Sequence, residues 1–518
     1  MALNLASLIT NTVRCYPDET ALVDGESTLT YREFARLVEA FAAHLRGLGM
    51  QPGDKVALLF PNTMSFTLAY YGILHAGGVV VPVSFLSVAR EIRYSLEDSE
   101  AAVLIAYEEY APQAREAFAE VTACHSLVLV GEGDGPLTLL EGSLDRDAAC
   151  DLADRNPDDT AVILYTSGTT GQPKGAELTH FNMWSNADLS AWRLLSTPDH
   201  VERLGPGHVV LAALPLFHSF GQTCNQNATL MAGGTLTYVR RFEPVPALET
   251  MARDRVTLFS GVPTMYLALL NTPAREQYDL SCLKYCFSGG AAMPIEVFKQ
   301  FSESFGVPIL EGYGLSETSP VATFNVLHQE SRIGSIGIPV YGCEVKIVDD
   351  QNQELAPDTV GEVVIRGHNV MKGYYRRPKA TAEAFRGGWF HSGDMGRQDK
   401  DGYLYIVDRK KDMIIRGGFN VYPREVEEIL YTHPAIREAA VVGVPDANYG
   451  EEIKAYVSLR AEPEHQGVTQ EDLQQFCKEQ IAATKYPRLF QILPDLPKGS
   501  TGKILRKELR ERANDGDA

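Results

Sequence analysis

Short apolar runs alternate with longer amphipathic segments from about residue 30 to residue 320. The apolar runs are rich in β-branched residues and predict buried strands at 55–60, 78–83, 101–106 and 126–130. Residues 31–49 place apolar side chains at helical spacing and end at a glycine, which predicts a helix. Strands and helices that alternate in this way indicate an α/β architecture with mostly parallel sheets.

After residue 330 the apolar runs become shorter and are separated by glycines, which predicts a β-rich region. A final block from about 424 to 510 mixes helix-like and strand-like segments and is large enough to form a small domain. The charged run at 408–413 lies between two apolar strands. We expect the junction between the two parts of the chain there, with a plain solvated turn as the alternative.

Composition narrows the function class. The chain has 518 residues and a net charge of −20, and such acidity argues against a nucleic-acid or anionic-membrane binder. No apolar run is long enough for a membrane span, and the start lacks the pattern of a secretory signal. Among the eight cysteines, only Cys282 and Cys286 are close, without the second pair of a zinc site. We expect free thiols and a cytoplasmic protein without an integral membrane segment.

The stretch with the most chemical information is LYTSGTTGQPKG, residues 164–175. An apolar strand leads into glycines that let backbone amides approach an anion closely, while the hydroxyls and Lys174 add further donors. A polyphosphate needs this arrangement. The string differs from the Walker pattern, and a merely flexible polar loop would explain its glycines and serine but not its whole order.

Four further motifs follow in a fixed order: GYGLSETSP (312–320), GGWFHSGDMG (387–396), YIVDRKKDMIIRGGFNVYPREVE (405–427) and PKGSTGKILRKEL (497–509). Together with the glycine-rich loop, they resemble the signatures of the adenylate-forming superfamily. That superfamily contains acyl-CoA synthetases, amino-acid adenylation domains and luciferases. The resemblance covers essentially the whole chain and is greatest to fatty acid–CoA ligases of the acyl-CoA synthetase branch.

The resemblance implies a two-step reaction that uses ATP, Mg²⁺ and coenzyme A. A carboxylate would attack ATP to give an acyl-adenylate and pyrophosphate, and CoA would then displace AMP. The implied fold is a large α/β domain over 1–409 with mostly parallel sheets and a distorted β-barrel subdomain at about 330–409. A hinge at 410–412 would join it to a small, mobile α+β domain over 413–518.

The same resemblance assigns a nucleotide site. The glycine-rich loop would wrap the β- and γ-phosphates, Tyr313 would stack on the adenine, and Asp394 with Arg409 would bind the ribose. For that last pair, a structural ion pair is the alternative. The full set implied is Thr166, Ser167, Gly168, Thr169, Thr170, Gly171, Lys174, Gly289, Gly290, Ala291, Glu311, Gly312, Tyr313, Gly314, Ser316, Thr318, Asp394 and Arg409.

Three residues are implied to be catalytic. Lys503 would contact the attacking carboxylate and the α-phosphate, because a positive charge there stabilises the transition state. Glu317, with Thr170, would hold Mg²⁺, whose preference is for oxygen ligands. His218 would act as a gate near the reacting carboxylate, with a helix-capping histidine as the alternative reading.

Thioester formation needs the small domain to turn. The resemblance assigns the hinge to Lys411, two positions after the ribose arginine, and a hinge residue need not be small. Gly417 and Gly418 would line the passage for the pantetheine arm of CoA, where missing side chains leave room for a thin chain.

The acid is narrowed mainly by exclusion. Phe217-His218 stands where amino-acid adenylation domains carry Phe-Asp, so the anchor for a substrate ammonium is missing. Gly233 and Gly234 stand where malonate-selective members place an arginine. We therefore expect an apolar monocarboxylic acid, a medium- or long-chain fatty acid in preference to an aryl or hydroxycinnamate-type acid. Candidate pocket residues are His218, Phe220, Gly221, Met231, Val262, Met265 and Gly289. For Phe220, Met231, Val262 and Met265, ordinary core packing is an equally good alternative.

Three rival functions remain. A fatty acyl-AMP ligase would load a carrier protein, but its usual insertion near the domain junction is not apparent. A luciferase-like oxygenase has no positive support. A non-catalytic nucleotide-binding protein should lack Lys503 or Glu317, and both are present. Dimers are frequent in this family, although the sequence reveals no interface, and no nucleic-acid partner is expected.

Overall fold

The computed structural model describes residues 3–131, 133, 135–166, 172–194, 203–273, 275–325, 327, 332–465, 467–499 and 501–514. Five residues of the predicted phosphate loop, Ser167, Gly168, Thr169, Thr170 and Gly171, lie outside the described residues. The two flanks of that loop are described.

The strands are numbered in chain order. They are β1 (Thr20–Asp24), β2 (Ser27–Thr30), β3 (Lys55–Leu59), β4 (Val79–Val83), β5 (Ala101–Tyr107), β6 (Ser126–Gly131), β7 (Thr138–Leu139), β8 (Thr160–Thr166), β9 (Lys174–Thr179), β10 (Val209–Ala212), β11 (Thr235–Tyr238), β12 (Leu258–Gly261), β13 (Tyr285–Ser288), β14 (Ile309–Gly314), β15 (Val321–Phe324), β16 (Ile338–Pro339), β17 (Cys343–Val348), β18 (Gly361–Gly367), β19 (Gly373–Tyr374), β20 (Phe385–Arg386), β21 (Trp389–Gln398), β22 (Leu404–Arg409), β23 (Ile414–Arg416), β24 (Phe419–Val421), β25 (Ile436–Asp446), β26 (Gly450–Leu459) and β27 (Leu489–Ile492).

The α-helices are α1 (Ser7–Cys15), α2 (Tyr31–Gly47), α3 (Met64–His75), α4 (Ala89–Ser99), α5 (Ala111–Ala119), α6 (His180–Trp192), α7 (Ala228–Ala232), α8 (Pro244–Arg253), α9 (Pro263–Leu270), α10 (Ile295–Phe305), α11 (Pro378–Ala384), α12 (Pro423–Tyr431), α13 (Gln470–Gln480) and α14 (Arg506–Asn514). A π-helix spans Gly221–Asn227 and leads directly into α7.

Two large sheets form the first part of the chain. The first has the strand order β16-β15-β14-β13-β12-β10-β11-β1-β2, and the second has the order β19-β9-β8-β4-β3-β5-β6-β7. Their central strands are parallel, and antiparallel strands close the edges. Strand β4 is buried along its whole length, as expected for a parallel strand covered on both faces. The predicted α/β class is confirmed.

Helices pack between and outside these sheets. Helix α2 begins with a capping box, in which Thr30 and Glu33 satisfy each other's backbone amides. Every residue of α3 is buried, because this helix is apolar all round and lies within the largest core cluster. A second core lies under α8, α9 and α10, so the first sheet is covered on both faces. The site described below lies where the strands of the first sheet end.

The remaining two sheets belong to the second half of the chain. Strands β17, β18, β21, β20 and β22 form an antiparallel sheet. Its strand order makes it a half-barrel, because β17 and β20 are edges that do not pair with each other among the described residues, and it corresponds to the predicted distorted β-barrel subdomain. The last sheet, β24-β23-β26-β25 with β27 on β26, packs against α12, α13 and α14.

The predicted junction is a short turn between β22 and β23. Asp412 and Met413 both donate backbone hydrogen bonds to the carbonyl of Arg409, so the turn is compact. No helix in the described ranges combines the length and the apolar character that a membrane crossing requires.

Candidate active site

Lys503 reaches the end of the first sheet from the far end of the chain. The carbonyl of Gly502 accepts a hydrogen bond from the Thr264 hydroxyl at 2.8 Å, which fixes the lysine loop at the start of α9. A Cβ on Gly290 would lie 3.2 Å from Cε of Lys503, so only a glycine leaves the lysine in ordinary contact there. Burial, together with the Arg409 charge, lowers the pKa of Lys503 to about 8, while Asp394 opposes this shift.

Asp394 forms the opposite wall. Its Oδ2 accepts a 2.7 Å hydrogen bond from the Tyr313 hydroxyl, and Nε of Arg409 lies 3.3 Å from its Oδ1. The side chain is buried, which raises its pKa, and the Arg409 charge partly offsets this effect. Since carboxylate oxygens accept more than one hydrogen bond, ribose hydroxyls could join these contacts. The structure thus brings together Tyr313, Asp394, Arg409 and Lys503, which were predicted from four separate motifs.

Glu317 is held by the flank of the phosphate loop. Its Oε1 accepts hydrogen bonds from the Thr166 hydroxyl at 3.2 Å and from the Tyr374 hydroxyl at 3.0 Å. Within the part of the chain that the structure describes, its Oε2 has no hydrogen-bond partner. A buried carboxylate with one oxygen fixed and the other available fits a Mg²⁺ ligand, because this ion is usually bound by one or two carboxylates with substrate phosphates.

The described flanks of the phosphate loop lie side by side. Thr166 at the end of β8 pairs with Lys174 at the start of β9, and the Tyr94 hydroxyl donates to the Pro173 carbonyl at 2.7 Å. Nζ of Lys174 lies 5.3 Å from the centroid of the Tyr374 ring. Sequence reasoning missed Tyr94 and Tyr374. The motif of Tyr374, GYYRRP, gave a turn-like signal, but nothing in it indicated contact with Glu317.

The segment that carries Glu317 also contains residues whose contacts stabilise its turn. Thr318 is fully buried, and its hydroxyl bonds with the backbone of Leu315 and Pro320. These contacts stabilise the turn that presents Glu317, and the assignment of Thr318 as a nucleotide ligand stays a prediction. Gly314 must be a glycine, because a Cβ would clash with the Pro320 carbonyl. Ser316 is partly exposed beside Glu317.

Glu311 and Gly312, two other predicted nucleotide residues, face the protein. Glu311 is buried and its Oε1 lies 3.4 Å from the backbone nitrogen of Met293, which donates to it. Burial raises the pKa of Glu311 to about 7, and the Arg424 charge opposes this. A Cβ on Gly312 would lie 2.6 Å from the Phe324 ring. The described contacts of both residues therefore fix strand β14 under the site.

His218 lies beside Lys503 just before the π-helix. Burial and the nearby Lys503 charge lower the pKa of His218 to about 4, so the imidazole is neutral at pH 7. Phe220 packs over Gly289, where a Cβ would lie 3.2 Å from its ring. Gly221 must be a glycine because a Cβ there would clash with the Pro215 carbonyl. The entrance of the predicted acid pocket therefore lies next to Lys503.

The other predicted pocket residues lie in or against two different cores. Val262 contacts this entrance, since a Cβ on Gly290 would lie 3.6 Å from its side chain. Met265, like Val262, belongs to the core under α8 to α10. Met231 packs against the other core, and its carbonyl accepts a hydrogen bond from Thr12 of α1. The described contacts of Met231 are thus with the first core and with α1, and its place in the acid pocket stays a prediction.

Gly233, used to argue against a dicarboxylic acid, has a structural role. It caps α7 with φ of +85°, and a Cβ would lie 2.5 Å from the Tyr16 ring. The adjacent Gly234 accepts a hydrogen bond from the Tyr31 hydroxyl. The positive φ of Gly233 and the tight packing at Gly234, where a Cβ would lie 3.2 Å from the His208 carbonyl, account for both glycines. They therefore carry less information about the acid than the sequence suggested.

The predicted CoA residues lie on a separate, exposed hairpin. Gly417 and Gly418 form the turn between β23 and β24, both with positive φ. Ile415 and Phe419 on the same hairpin are more than half exposed. Lys411 lies exposed in the turn after β22. Its ammonium is nevertheless partly covered by neighbouring groups, and this partial burial, together with the Arg409 charge, lowers the pKa of Lys411. Among the described contacts, Gly417 lies next to Tyr449, and none joins this hairpin to Lys503.

Contacts across the junction hold the lysine-bearing part of the chain in position. Asp408 is 4% exposed and accepts hydrogen bonds from the Arg424 backbone at 2.9 Å and from the Arg506 side chain at 3.2 Å. Arg506 also donates to Glu427 at 2.6 Å. Asp408 precedes the turn, whereas its partners follow it. These contacts therefore belong to the arrangement in which Lys503 lies at the nucleotide site.

Comparison with known proteins identifies the family of the chain. The family model described as AMP-binding enzyme matches residues 9–375, and its C-terminal domain model matches residues 425–503. The long-chain-fatty-acid–CoA ligase of Bacillus subtilis is 36% identical, with 98% of this chain and 94% of that protein covered. The feruloyl-CoA synthase of Amycolatopsis is 37% identical, with 96% and 97% covered.

Solved structures of CoA ligases and related enzymes share the fold of this chain. ATP-bound MatB from Rhodopseudomonas palustris superposes with a TM-score of 0.89 at 31% identity and covers 99% of both chains. The anthranilate CoA ligase AuaEII in complex with anthranoyl-AMP gives the same TM-score at 28% identity, covering 99% of this chain and 98% of that one. Both family models match in the predicted order, and the first alone spans more than half of the chain. The chain belongs to the AMP-binding enzyme family, the adenylate-forming enzymes that its motifs resemble.

Proposed function

We propose that this protein is an ATP-dependent acid–CoA ligase that makes AMP and pyrophosphate. The observation that carries the proposal is the position of Lys503, buried between Gly290 and the Tyr313–Asp394–Arg409 cluster. A cation enclosed beside a nucleotide site suits a reaction in which two anions must meet. Relatives at 36% and 37% identity that are named as CoA ligases support it over nearly the full chain.

In the first step, a carboxylate oxygen attacks the α-phosphorus of ATP, and the bond from that phosphorus to the pyrophosphate oxygen breaks. Lys503 offsets the negative charge that gathers around the α-phosphate, while Asp394 and Arg409 hold the ribose. Neutral His218 limits the repulsion that a second cation beside Lys503 would add. Mg²⁺ held through Glu317 supplies charge neutralisation at the phosphates.

In the second step, the CoA sulfur attacks the carbonyl of the acyl-adenylate and AMP departs. We assign the turn at Lys411 as the hinge that exchanges Lys503 for the Gly417–Gly418 hairpin at the site. The exposure of that hairpin supports this assignment, because Ile415 and Phe419 would leave water on contacting the large domain. The domains would then be 1–409 and 413–518, joined by 410–412.

For the acid, we propose a medium- or long-chain fatty acid. The long-chain relatives support it, and so do the four uncharged entrance residues Phe220, Gly221, Val262 and Gly289, which leave Lys503 as the charged group for the single carboxylate. A hydroxycinnamate-type acid is the second candidate, favoured by the feruloyl-CoA synthase relative at 37% identity. We also propose that the reaction takes place in the cytoplasm, because all eight cysteines are free, as in reducing compartments.

The test is a panel of acids incubated with ATP and Mg²⁺, with pyrophosphate release followed with and without CoA. We expect adenylate formation with C8 to C18 fatty acids and acyl-CoA as the product only when CoA is present. Adenylate that is never passed to CoA would indicate a carrier-protein ligase. Preference for ferulate over every fatty acid would select the second candidate.

Lys503→Ala supplies the control. Pyrophosphate release should fall by about a hundredfold or more, since one such electrostatic contact is worth several kcal/mol. Conversion of synthetic acyl-adenylate and CoA to acyl-CoA should stay near normal, because that step would occur with Lys503 away from the site. Equal loss in both half-reactions would show that the lysine does not have this role.

A further inference from the structure

Tyr374 joins the two groups that face the phosphates of ATP. Its hydroxyl donates to Oε1 of Glu317 at 3.0 Å, and its ring centroid lies 5.3 Å from Nζ of Lys174. The first contact fixes a carboxylate, and the second is within the range of a cation–π interaction. One side chain therefore contacts both the predicted metal ligand and the predicted phosphate-binding lysine.

The backbone around Tyr374 is fixed from both sides. Strand β19 pairs with β9, which places Tyr374 opposite Ala176, two residues after Lys174. The backbone amide of Met371 donates to the Glu317 carbonyl at 2.8 Å. The segment 371–374 is thus bonded to the turn that carries Glu317 and to the strand that follows the phosphate loop.

The direction of the hydroxyl contact is fixed as well. An ionised carboxylate can only accept hydrogen bonds, so the Tyr374 hydroxyl is the donor in this contact. The Thr166 hydroxyl donates to the same Oε1 at 3.2 Å. Two donors on one oxygen hold the carboxylate plane, and Oε2 has no hydrogen-bond partner within the described ranges.

We infer that Tyr374 is a positioning residue for adenylate formation, orienting Glu317 towards the metal of the metal–ATP complex and Lys174 towards the phosphates. This inference rests on the proposed function, which supplies ATP as the substrate. Groups that orient a metal ligand typically change metal affinity 10- to 100-fold when removed. The two contacts of Tyr374 can be removed one at a time.

The chain offers a matched control in the next residue. The Tyr375 hydroxyl donates to the Glu100 carboxylate at 2.7 Å, and Nζ of Lys55 lies 5.3 Å from its ring centroid. Tyr375 thus makes the same pair of contacts as Tyr374 but with partners outside the nucleotide site. Loss of its hydroxyl reports the structural cost of removing such a bond.

The experiment measures nucleotide binding by calorimetry without acid or CoA, using ATP with Mg²⁺ and ATP in EDTA. Tyr374→Phe keeps the ring under Lys174 and should weaken binding of Mg²⁺–ATP about tenfold while metal-free ATP binds as before. Tyr374→Leu also loses the ring and should weaken both forms. Tyr375→Phe should change neither. Reaction of synthetic acyl-adenylate with CoA, which involves no metal-bound triphosphate, should be unchanged in Tyr374→Phe.

Several results would overturn the inference. Tyr374→Phe could bind Mg²⁺–ATP as tightly as the unsubstituted protein, or lose affinity equally for both nucleotide forms. A fall in thermal stability that also slows the acyl-adenylate reaction would reduce Tyr374 to a packing role. If the unsubstituted protein binds neither form of ATP, the proposed function itself fails, an outcome distinct from the others.

Discussion

Lys503 should take up a proton when ATP binds. In the arrangement described here, burial and Arg409 lower the pKa of Lys503 to about 8, so about half of the lysines are neutral at pH 8. The triphosphate brings negative charge to the lysine and restores the charged form. Binding of Mg²⁺–ATP at pH 8 should therefore be accompanied by uptake of about 0.5 proton per site, and about 0.1 at pH 7.

The free-energy cost of the charged Lys503 ammonium follows from the same change in pKa. Lowering the pKa from 10.5 to about 8 means that the charged ammonium costs about 3 kcal/mol in this position, at 1.36 kcal/mol for each tenfold change. The folded pKa lies below the ordinary one, so the folded state binds fewer protons between pH 8 and 10.5. The cost is fully present below about pH 8 and is relieved as the pH rises through that window. Nucleotide binding offsets it at neutral pH.

The assay is calorimetry of Mg²⁺–ATP binding at pH 8 in two buffers with different ionisation enthalpies. The difference in heat between the buffers gives the number of protons exchanged. Lys503→Arg keeps a permanent charge and should take up fewer protons, and Lys503→Met should remove the component due to this lysine. At pH 8, ATP itself is already deprotonated and contributes little.

Equal proton uptake in the unsubstituted protein and in Lys503→Met would refute the reasoning. Uptake that does not fall between pH 8 and pH 7 would assign it to another group. A rate comparison provides a second check: above pH 8 and at ATP concentrations well below saturation, adenylate formation should decline in the unsubstituted protein and persist in Lys503→Arg. Reaction of preformed adenylate with CoA should not show this decline.

Three further substitutions test the junction and the entrance. Lys411→Pro should leave pyrophosphate release intact and block acyl-CoA formation; normal ligation would remove the hinge assignment. Asp408→Ala leaves Arg506 without one buried partner, so we expect a loss of about 3 kcal/mol in chemical denaturation and slower adenylation. An unchanged unfolding midpoint would contradict this. Gly221→Ala forces a Cβ against the Pro215 carbonyl, and thermal unfolding should report a cost of about 1–3 kcal/mol.

Much of the local structure was predictable from short stretches of sequence. The period of the apolar residues identified β4 and α2, because a strand buried on both faces is continuously apolar and a helix with one buried face repeats every 3.6 residues. The five motifs identified the family and the nucleotide site, since their glycines, hydroxyls and charges occur in an order that chance does not produce.

The candidate site was predicted less completely. Motif resemblance suggested that Thr318 binds nucleotide, yet its hydroxyl is taken up by neighbouring backbone groups. It could not tell that Met231 packs against the first core and bonds to α1 through its carbonyl. It passed over Tyr374, whose partners lie 57 and 200 positions earlier in the chain. A motif identifies residue types and spacing but not the direction of each side chain.

The sequence by itself therefore determined the fold class, the family and the presence of the reactive residues in this protein. Only the tertiary structure decided that Lys503 lies against Gly290, that Tyr313 and Arg409 share Asp394, and that the Gly417 hairpin stays exposed in this arrangement. The physical reason is that periodicity and spacing arise from interactions within a few residues. Burial, charge pairing and pKa depend instead on which distant segments meet when the sheets and the junction pack.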